Sequence, residues 1–443
     1  MPYRGRLILA FLLVPVLLTL LWAVTIWTHP VEAGFWSVRR IAVYSTGILA
    51  IGCLSTGMIL AARPTQFEDA LGGLDKYYRL HKWLGITGTS LGILHWLIEI
   101  LPRNFVRWGW LAAPVRHRPP RSSTGFDLFR DLHGPAVSVA EPALYAMIAL
   151  VLIALYKRFP YRFFFKTHRL LAIVYLVLVF HAAILMGPTY WLAPVGPVLG
   201  LLMAAATVAA LTSLFHRIGK SRRATGAIED VEYHPDSGVA EVTVRLSTAW
   251  PGHSPGQFAY VDFGDREAPH PFTISSAWHQ DGRLRFGIKK LGDYTRTLPD
   301  RVFPGQAVTI EGPYGRFDLR NGGRQLWIAG GVGIAPFLAG LESLAEEHER
   351  AQVDLIYSTR LPDAGLISRL VDLTGQTGVT LHVLVTPPDK LLTLKRLEEM
   401  VPDWKTADIW FCGPAGFADA LRAPMIAQGL PPGRFHEEFY TTR

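Results

Sequence analysis

Two cysteines in 443 residues, Cys53 and Cys412, exclude both a disulfide framework and a cysteine-held metal cluster. Charge is equally thin: Asp, Glu, Lys and Arg make up only 18% of the chain, against 50% hydrophobic residues. No solenoid-type repeat and no low-complexity tract is present, which removes the array and disordered classes. The scarce charge is also uneven. Long apolar runs fill the first half, whereas the second reads as an ordinary soluble α/β sequence.

Six runs approach the roughly 20 residues that cross a bilayer, near 7–28, 41–62, 79–101, 136–156, 167–187 and 190–215. An even number returns both chain ends to one side. The first run is too long for a signal-peptide core and has no small-residue cleavage site after it, so it is expected to stay as a helix. Basic residues cluster where cytoplasmic flanks are expected, at Arg63, Lys76, Arg79, Lys157, Arg158, Lys166, Arg217 and Lys220 among others. The loop 102–135 runs against this, with Arg103, Arg107, Arg116, Arg118, Arg121 and Arg130 on the opposite side. The expectation is a multi-pass protein of a bacterial inner or plasma membrane with cytoplasmic termini. Its net charge of +8 is met by lipid headgroups and calls for no nucleic acid.

Four of the 15 histidines lie in or at the ends of apolar spans: His81 and His95 in the third, His168 and His181 in the fifth. Spacings of 14 and 13 residues separate each pair by about 20 Å along its helix. His81 then lies level with His168, and His95 with His181. Two levels of two imidazoles fit two stacked b-type haems, each iron taking one histidine from each helix. Imidazole suits the setting because it stays neutral in lipid when it ligates a metal. Phase favours the third span, where 14 residues return to within about 40° of one face. Thirteen residues leave the fifth span's pair about 140° apart, a mismatch that a 3₁₀ turn at Thr167 and His168 would ease. Gly85, Gly88 and Gly92 make room either for a porphyrin edge or for ordinary helix packing.

From about 224 short alternating strands predict a small antiparallel barrel, and from about 324 strand–helix alternation predicts a doubly wound nucleotide domain. The domains expected are thus 1–216, 224–322 and 324–443. In "LWIAGGVGIAPFLAGL" an apolar strand runs into Gly330, Gly331 and Gly333 and a helix opening near Pro336, a turn that lets backbone amides approach a pyrophosphate. "DLIYSTR" ends in Ser358, Thr359 and Arg360, where a hydroxyl and a guanidinium suit the 2′-phosphate of NADPH better than an acid would. "IWFCGP" is a further strand closing on Cys412, Gly413 and Pro414; its cysteine is either a site group or a small buried residue.

Taken in order, "HKWLG", the four-histidine spacing, "PGQF", "HPFTIS", "LGDYT", "GPYG", "GGVGIAP" and "FCGP" resemble the ferric reductase and NADPH oxidase superfamily over nearly the whole chain. The resemblance implies that the barrel binds FAD. His270, Pro271, Phe272, Thr273 and Ser275 would line its ring and ribityl chain, with Thr273 near the reactive ring nitrogen. Lys289, Gly292 and Thr295 would meet its pyrophosphate. It also implies that Glu437 and Phe439 of "FHEEFYTTR" are the acid and the flavin-stacking aromatic of related reductases, working with Thr273 and Cys412 at the site of hydride transfer. The expected activity is electron transfer from cytosolic NADPH through FAD and two haems to an extracytoplasmic acceptor. Ferric chelates are favoured over oxygen: the second span has no arginine between Arg40 and Arg63, and Glu99, one turn past His95, with Glu141 nearby, would repel a forming anion. Alternatively Glu99 simply pairs with Arg103. A membrane module without redox activity and a transporter are the competing classes; the membrane half lacks the broken helices and paired midplane acids of the latter.

Overall fold

The computed structural model describes residues 3–30, 33–64, 73–114, 127–156, 158–265, 267–319, 323–348, 351–387, 389 and 391–438. Phe439 and the loop residues Arg116, Arg118 and Arg121 lie outside them. The chain divides into two compact units, one of Arg4–Gln66 with Lys76–Ile218, the other chiefly Gly219–Thr442.

The first unit holds α1 (Tyr3–Thr28), α2 (Phe35–Ala61), α3 (Leu74–Arg107), α4 (His133–Leu155), α5 (Tyr161–Trp191) and α6 (Val195–Leu214). All six are long and apolar enough to cross a membrane. Helix is the form available to such segments, because a backbone in hydrocarbon must satisfy its own polar groups. Their hydroxyls follow the same rule: Thr25, Ser45, Thr56, Thr89 and Thr207 each donate to the carbonyl four residues back. Leu18, Trp22, Ile48, Ile51, Tyr175, Leu199 and Met203 form the interior, and Ala206 and Ala210 let α6 approach its neighbours. Leu9, Leu13, Leu20, Leu201 and Val208 stay exposed, as lipid-facing side chains do. Helix α5 packs along α4 and α6, and α2 along α6.

The second unit opens with an antiparallel sheet of β1 (Arg223–His234), β2 (Val239–Leu246), β3 (Phe258–Asp262), β4 (His270–Thr273), β5 (Arg283–Lys289) and β6 (Ala307–Tyr314). Its order is β4-β3-β6-β1-β2-β5. The barrel expected from sequence is not closed by a ladder. Only an isolated bridge, Ile274 to Phe286, links the two ends of the described sheet. A one-turn helix, α7 (Asp293–Thr297), follows β5.

A parallel sheet comes next, built from β7 (Gln325–Gly330), β8 (Val353–Thr359), β9 (Thr380–Val385), β10 (Asp408–Cys412) and β11 (Phe435–Glu437), in the order β11-β10-β7-β8-β9. Alternation decides which side each residue faces. Leu326, Ile328, Ile356, Ile409 and Phe411 meet α10 (Leu394–Met400) and α11 (Ala415–Ala427), whereas Trp327, Leu355, Tyr357 and Trp410 meet α8 (Ala335–Glu346), with Leu370 of α9 (Ala364–Thr377) in the same core. The chain leaves β7 toward β8 and β9 and later returns to its other edge at β10. That reversal opens a crevice at the carboxyl ends of β7 and β10, the place where open α/β sheets bind ligands.

Candidate electron-transfer and nucleotide sites

The four membrane histidines meet in the two pairs that their levels require. The ring centroids of His81 and His168 lie 5.8 Å apart, those of His95 and His181 6.4 Å. Nδ1 of His81 donates to the Gly57 carbonyl (2.8 Å), Nδ1 of His95 to Val43 (2.9 Å) and Nδ1 of His181 to Ala136 (2.9 Å). A carbonyl can only accept, so each of these Nδ1 atoms carries the proton and each Nε2 keeps its lone pair. Backbone-anchored imidazoles with a basic Nε2 are what metal-ligating histidines present. Ring centroids about 6 Å apart leave a metal about 2 Å from each nitrogen. The residues therefore fit paired axial ligation. Among the described residues no group of three or more His, Cys, Asp or Glu is arranged to hold a metal, so only pairwise ligation is on offer.

Helix α5 corrects one expectation. It begins at Tyr161 and is regular from His168 to His181, with non-helical angles only at Gly187, so no 3₁₀ turn rescues the phase. Both rings nonetheless reach their partners, and His168 also stacks on Phe164. The glycines divide too. Gly85 has open space where a side chain would be, whereas Gly88 packs against Leu54 and the Ala50 carbonyl of α2. Sequence gave no hint of Gly47, where a Cβ would sit 3.1 Å from the His95 ring.

Beyond His95, Glu99 is not the bare carboxylate that a cation-favouring site needs. Arg39 of α2 and Arg103 both pair with it, and Arg39 donates as well to the carbonyls of Ile98 and Glu99 at 3.1 Å. Arg39 lies one residue before Arg40, from which the arginine-free stretch runs to Arg63. Two guanidiniums against one carboxylate leave net positive charge. Glu141 is elsewhere, bonded by Trp96 Nε1 (3.2 Å) and the Tyr145 hydroxyl (2.5 Å).

In the second unit, His270 of β4 lies flat against Tyr294 of α7, with centroids 3.8 Å apart and planes 6° from parallel. Pro271 and Phe272 are half-buried, and Thr273 and Ser275 are buried. The Ser275 hydroxyl donates to the Arg285 carbonyl (3.0 Å). Thr295 Oγ1 accepts from the amides of Leu291 and Gly292 at 3.1 Å each, closing the first turn of α7. Lys289, at the end of β5, reaches the glycine turn of the parallel sheet, its Nζ 3.6 Å from where a Cβ on Gly331 would be. A cleft of ≈ 240 Å³ joins Ser275, Lys289, Gly331, Tyr357, Thr359 and Arg369.

Burial pushes the His270 imidazole down to about 4, against Asp265, which pulls it up. The fold thus favours neutral His270, and the stability this gives is complete above pH ~6.5 and lost as pH falls toward 4. Between pH 7 and pH 5 the loss is on the order of 2 kcal/mol. Thermal unfolding of the full-length protein, followed by flavin fluorescence, is expected to show this loss, and His270→Phe to reduce it. An equal pH dependence in the two proteins contradicts the assignment.

At the crevice, Gly331 adopts φ +57°, and a Cβ on Gly333 would lie 2.1 Å from the Cys412 carbonyl oxygen. Gly330 backs onto Gly413 and Pro414, so the β7 and β10 turns interlock. Ala335 starts α8 directly after a short 3₁₀ turn, Gly331–Ile334, and Pro336 is the helix's second residue. Cys412 is fully buried, whereas Ser358 is half-buried and Arg360 exposed at the end of β8. Glu437 is buried and paired with Arg422. An ionic lattice that sequence did not signal ties the two sheets: Arg285 to Glu342 (2.9 Å) and Glu241 (3.4 Å), and Arg369 to Glu241 (3.2 Å) and Glu342. Burial raises both Glu241 and Glu342 above the usual carboxylate range, against the pull of Arg285.

Fold and site together define a membrane helix bundle with two levels of paired imidazoles, carrying an antiparallel sheet and a parallel, nucleotide-type sheet. Residues 46–179 match the family model of a ferric reductase like transmembrane component, and residues 226–318 that of an FAD-binding domain. The chain thus joins a ferric-reductase-like membrane component to an FAD-binding domain. It is similar to the reductase component of propane 2-monooxygenase of Rhodococcus jostii, 27% identical over 219 residues, which cover 45% of this chain and 59% of the relative. It is also similar to the toluate 1,2-dioxygenase electron transfer component of Pseudomonas putida, 29% identical over 222 residues, 48% of this chain and 66% of the relative. The chain spans less than two thirds of the length of either. Among solved structures, flavohemoglobin from Malassezia yamatoensis aligns with a TM-score of 0.47 at 17% identity, over 92% of this chain and 97% of that one.

Proposed function

We propose that the protein is an NAD(P)H-dependent transmembrane oxidoreductase that moves electrons from cytosolic NADPH to an extracytoplasmic acceptor, with 1–216 as haem domain, 224–322 as FAD domain and 324–443 as NADPH domain. The observation that carries this is the pair of imidazole levels, with three of the four rings anchored through Nδ1 on main-chain carbonyls. When bound, FAD turns a two-electron hydride donor into a source of single electrons, and two b haems relay these across the bilayer. His81 with His168, and His95 with His181, would hold the two irons and leave no position on them for a substrate. Gly331 and Gly333 open the turn to the nucleotide's phosphates, and Lys289 supplies a cation beside that turn. Thr273, in the strand against which the flavin ring is expected, offers a hydroxyl.

Both termini are placed in the cytoplasm by this reading, since the nucleotide lobe must meet its cofactor there. The excess positive charge of Arg39 and Arg103 over Glu99 suits an anionic ferric chelate, and the second reading, oxygen reduced to superoxide, draws on the same charge. Anaerobic ferric-citrate reduction is expected to outpace aerobic superoxide formation at equal NADPH. The reverse order makes the protein an oxidase, and NADPH that leaves the haem spectrum unreduced ends the whole reading.

Arg360 is exposed at the end of β8, as a partner for a 2′-phosphate must be. Arg360→Ala is expected to lower the NADPH-over-NADH ratio in kcat/KM roughly ten- to a hundredfold, the value of one charge-assisted hydrogen bond of about 1.5–3 kcal/mol. An unchanged ratio moves the 2′-phosphate site elsewhere.

A further inference from the structure

Glu141 is a carboxylate in an unusual place. It lies eight residues after the start of α4, about 12 Å along a helix whose 23 residues span about 34 Å, little more than the hydrocarbon thickness of about 30 Å. Its surroundings are lipid-facing: Glu141 and Tyr145 are exposed, as are Leu94 of α3 and Val137 and Val139 of α4. An ionisable group at such depth costs about 2.5–3.5 kcal/mol and marks function where no counter-charge offsets it. Glu99 has its two arginines; among the described residues Glu141 has no ion pair.

What Glu141 does have is a phenol and an indole. Tyr145 and Trp96 both donate to Oε1, and Oε2 takes no hydrogen bond from the described residues. The Trp96 and Tyr145 rings stand 6.0 Å apart at 75°, an L-shaped aromatic ledge beside the open oxygen. Trp96 directly follows His95. The carbonyl that anchors His181, that of Ala136, is five residues before Glu141 on the same helix, about 7.5 Å along the axis. A flat ring, a hydrogen-bonding head and an apolar tail are the ligand features this ledge recognises, and the ligand must arrive from the bilayer.

We propose that Trp96, Glu141 and Tyr145 form a lateral, lipid-facing site for a quinone, which accepts electrons leaving at the His95–His181 level. Binding stands on this geometry alone; reduction rests on the electron path proposed above. Two electrons from NADPH reach the quinone one at a time, and two protons convert its two carbonyls to hydroxyls. Both protons come from water, one of them relayed through the Glu141 carboxylate. The ferric chelate and the quinone thus leave by different exits, one aqueous and one lipid.

The test uses the full-length protein in lipid nanodiscs and a photoactivatable azido-quinone with a short isoprenoid tail. Mass spectrometry is expected to find the label on peptides containing Trp96 or Tyr145, competed by unlabelled quinone. Glu141→Leu is expected to weaken labelling at least tenfold. Glu141→Gln is expected to keep labelling and lose NADPH-driven quinone reduction, with ferric-citrate reduction unchanged in both variants. Trp96→Phe, which removes one donor and keeps a ring, is expected to weaken labelling less than Glu141→Leu. Labelling elsewhere, labelling indifferent to Glu141→Leu, or cross-linking of a second protein chain at Glu141 in place of quinone overturns the site. Correct labelling in a protein whose haems NADPH does not reduce leaves the site standing and sinks the proposed electron path instead.

Discussion

His95→Ala and His181→Ala are each expected to yield protein with half the haem of the wild type and almost no acceptor reduction. The rings pair at 6.4 Å, and among the described residues no third histidine, cysteine or acid groups with them in an arrangement that could hold a metal. The other pair lies about 20 Å away along α3, so it cannot serve the acceptor side. Loss of an outer partner of a ligand already costs about 10–100-fold, and loss of the ligand itself is expected to cost at least about a hundredfold in acceptor reduction. NADPH-to-flavin transfer uses none of these residues and is expected to persist. The pyridine haemochrome content and the rate of anaerobic flavin reduction separate the two effects. Full haem content in either variant removes that histidine from the ligand set.

Gly333→Ala carries the second large effect. The added methyl would lie 2.1 Å from the Cys412 carbonyl oxygen, a backbone atom that cannot rotate away. Relief requires β7 and β10 to part at their carboxyl ends, where the crevice is. Overpacking of this kind costs about 1–3 kcal/mol, and because it falls on the nucleotide turn, NADPH affinity is expected to drop about 10–100-fold with FAD content retained. Gly331→Ala strains only a positive φ and is the milder comparison. Equal NADPH affinity in Gly333→Ala and the wild type would show that the nucleotide does not depend on this interlock.

Much of this architecture is legible in the sequence because it rests on strong, local signals. The six spans follow from apolar runs with no alternative solvent, and the glycine turn from a strand and helix on either side of "GGVGIAP". The histidine levels follow from counting along two helices. What counting missed is set by contacts between segments far apart in the chain. The 140° phase of His168 and His181 reads as adverse along one helix, yet both rings meet their partners on α3. The arginine beside Glu99 sits 60 residues earlier, at Arg39. Arg285, Glu241, Glu342 and Arg369 read as scattered surface charge until the two sheets bring them together. The barrel failed to close for a related reason: strand alternation specifies which face is buried, not whether the first and last strands pair.

Helix α2 supplies no imidazole, yet the carbonyls of Val43 and Gly57 set the orientation of both α3 histidines. A main-chain oxygen has no side chain to lose. Point substitutions at position 43 leave its carbonyl in place as long as the helix remains, so the posture of the His95 ring is insulated from much of the mutational change that α2 can undergo. What would disturb it is a shift of α2 along its own axis. A sliding of about 1.5 Å, one residue's rise, would carry both carbonyls out of register with their rings together. The two imidazole levels, 14 residues apart on α3, are therefore mechanically coupled through a helix that contributes no imidazole. Any force that acts on α2, from lipid thickness or a neighbouring protein, would turn both rings at once, and on the proposed function would retune both redox midpoints together.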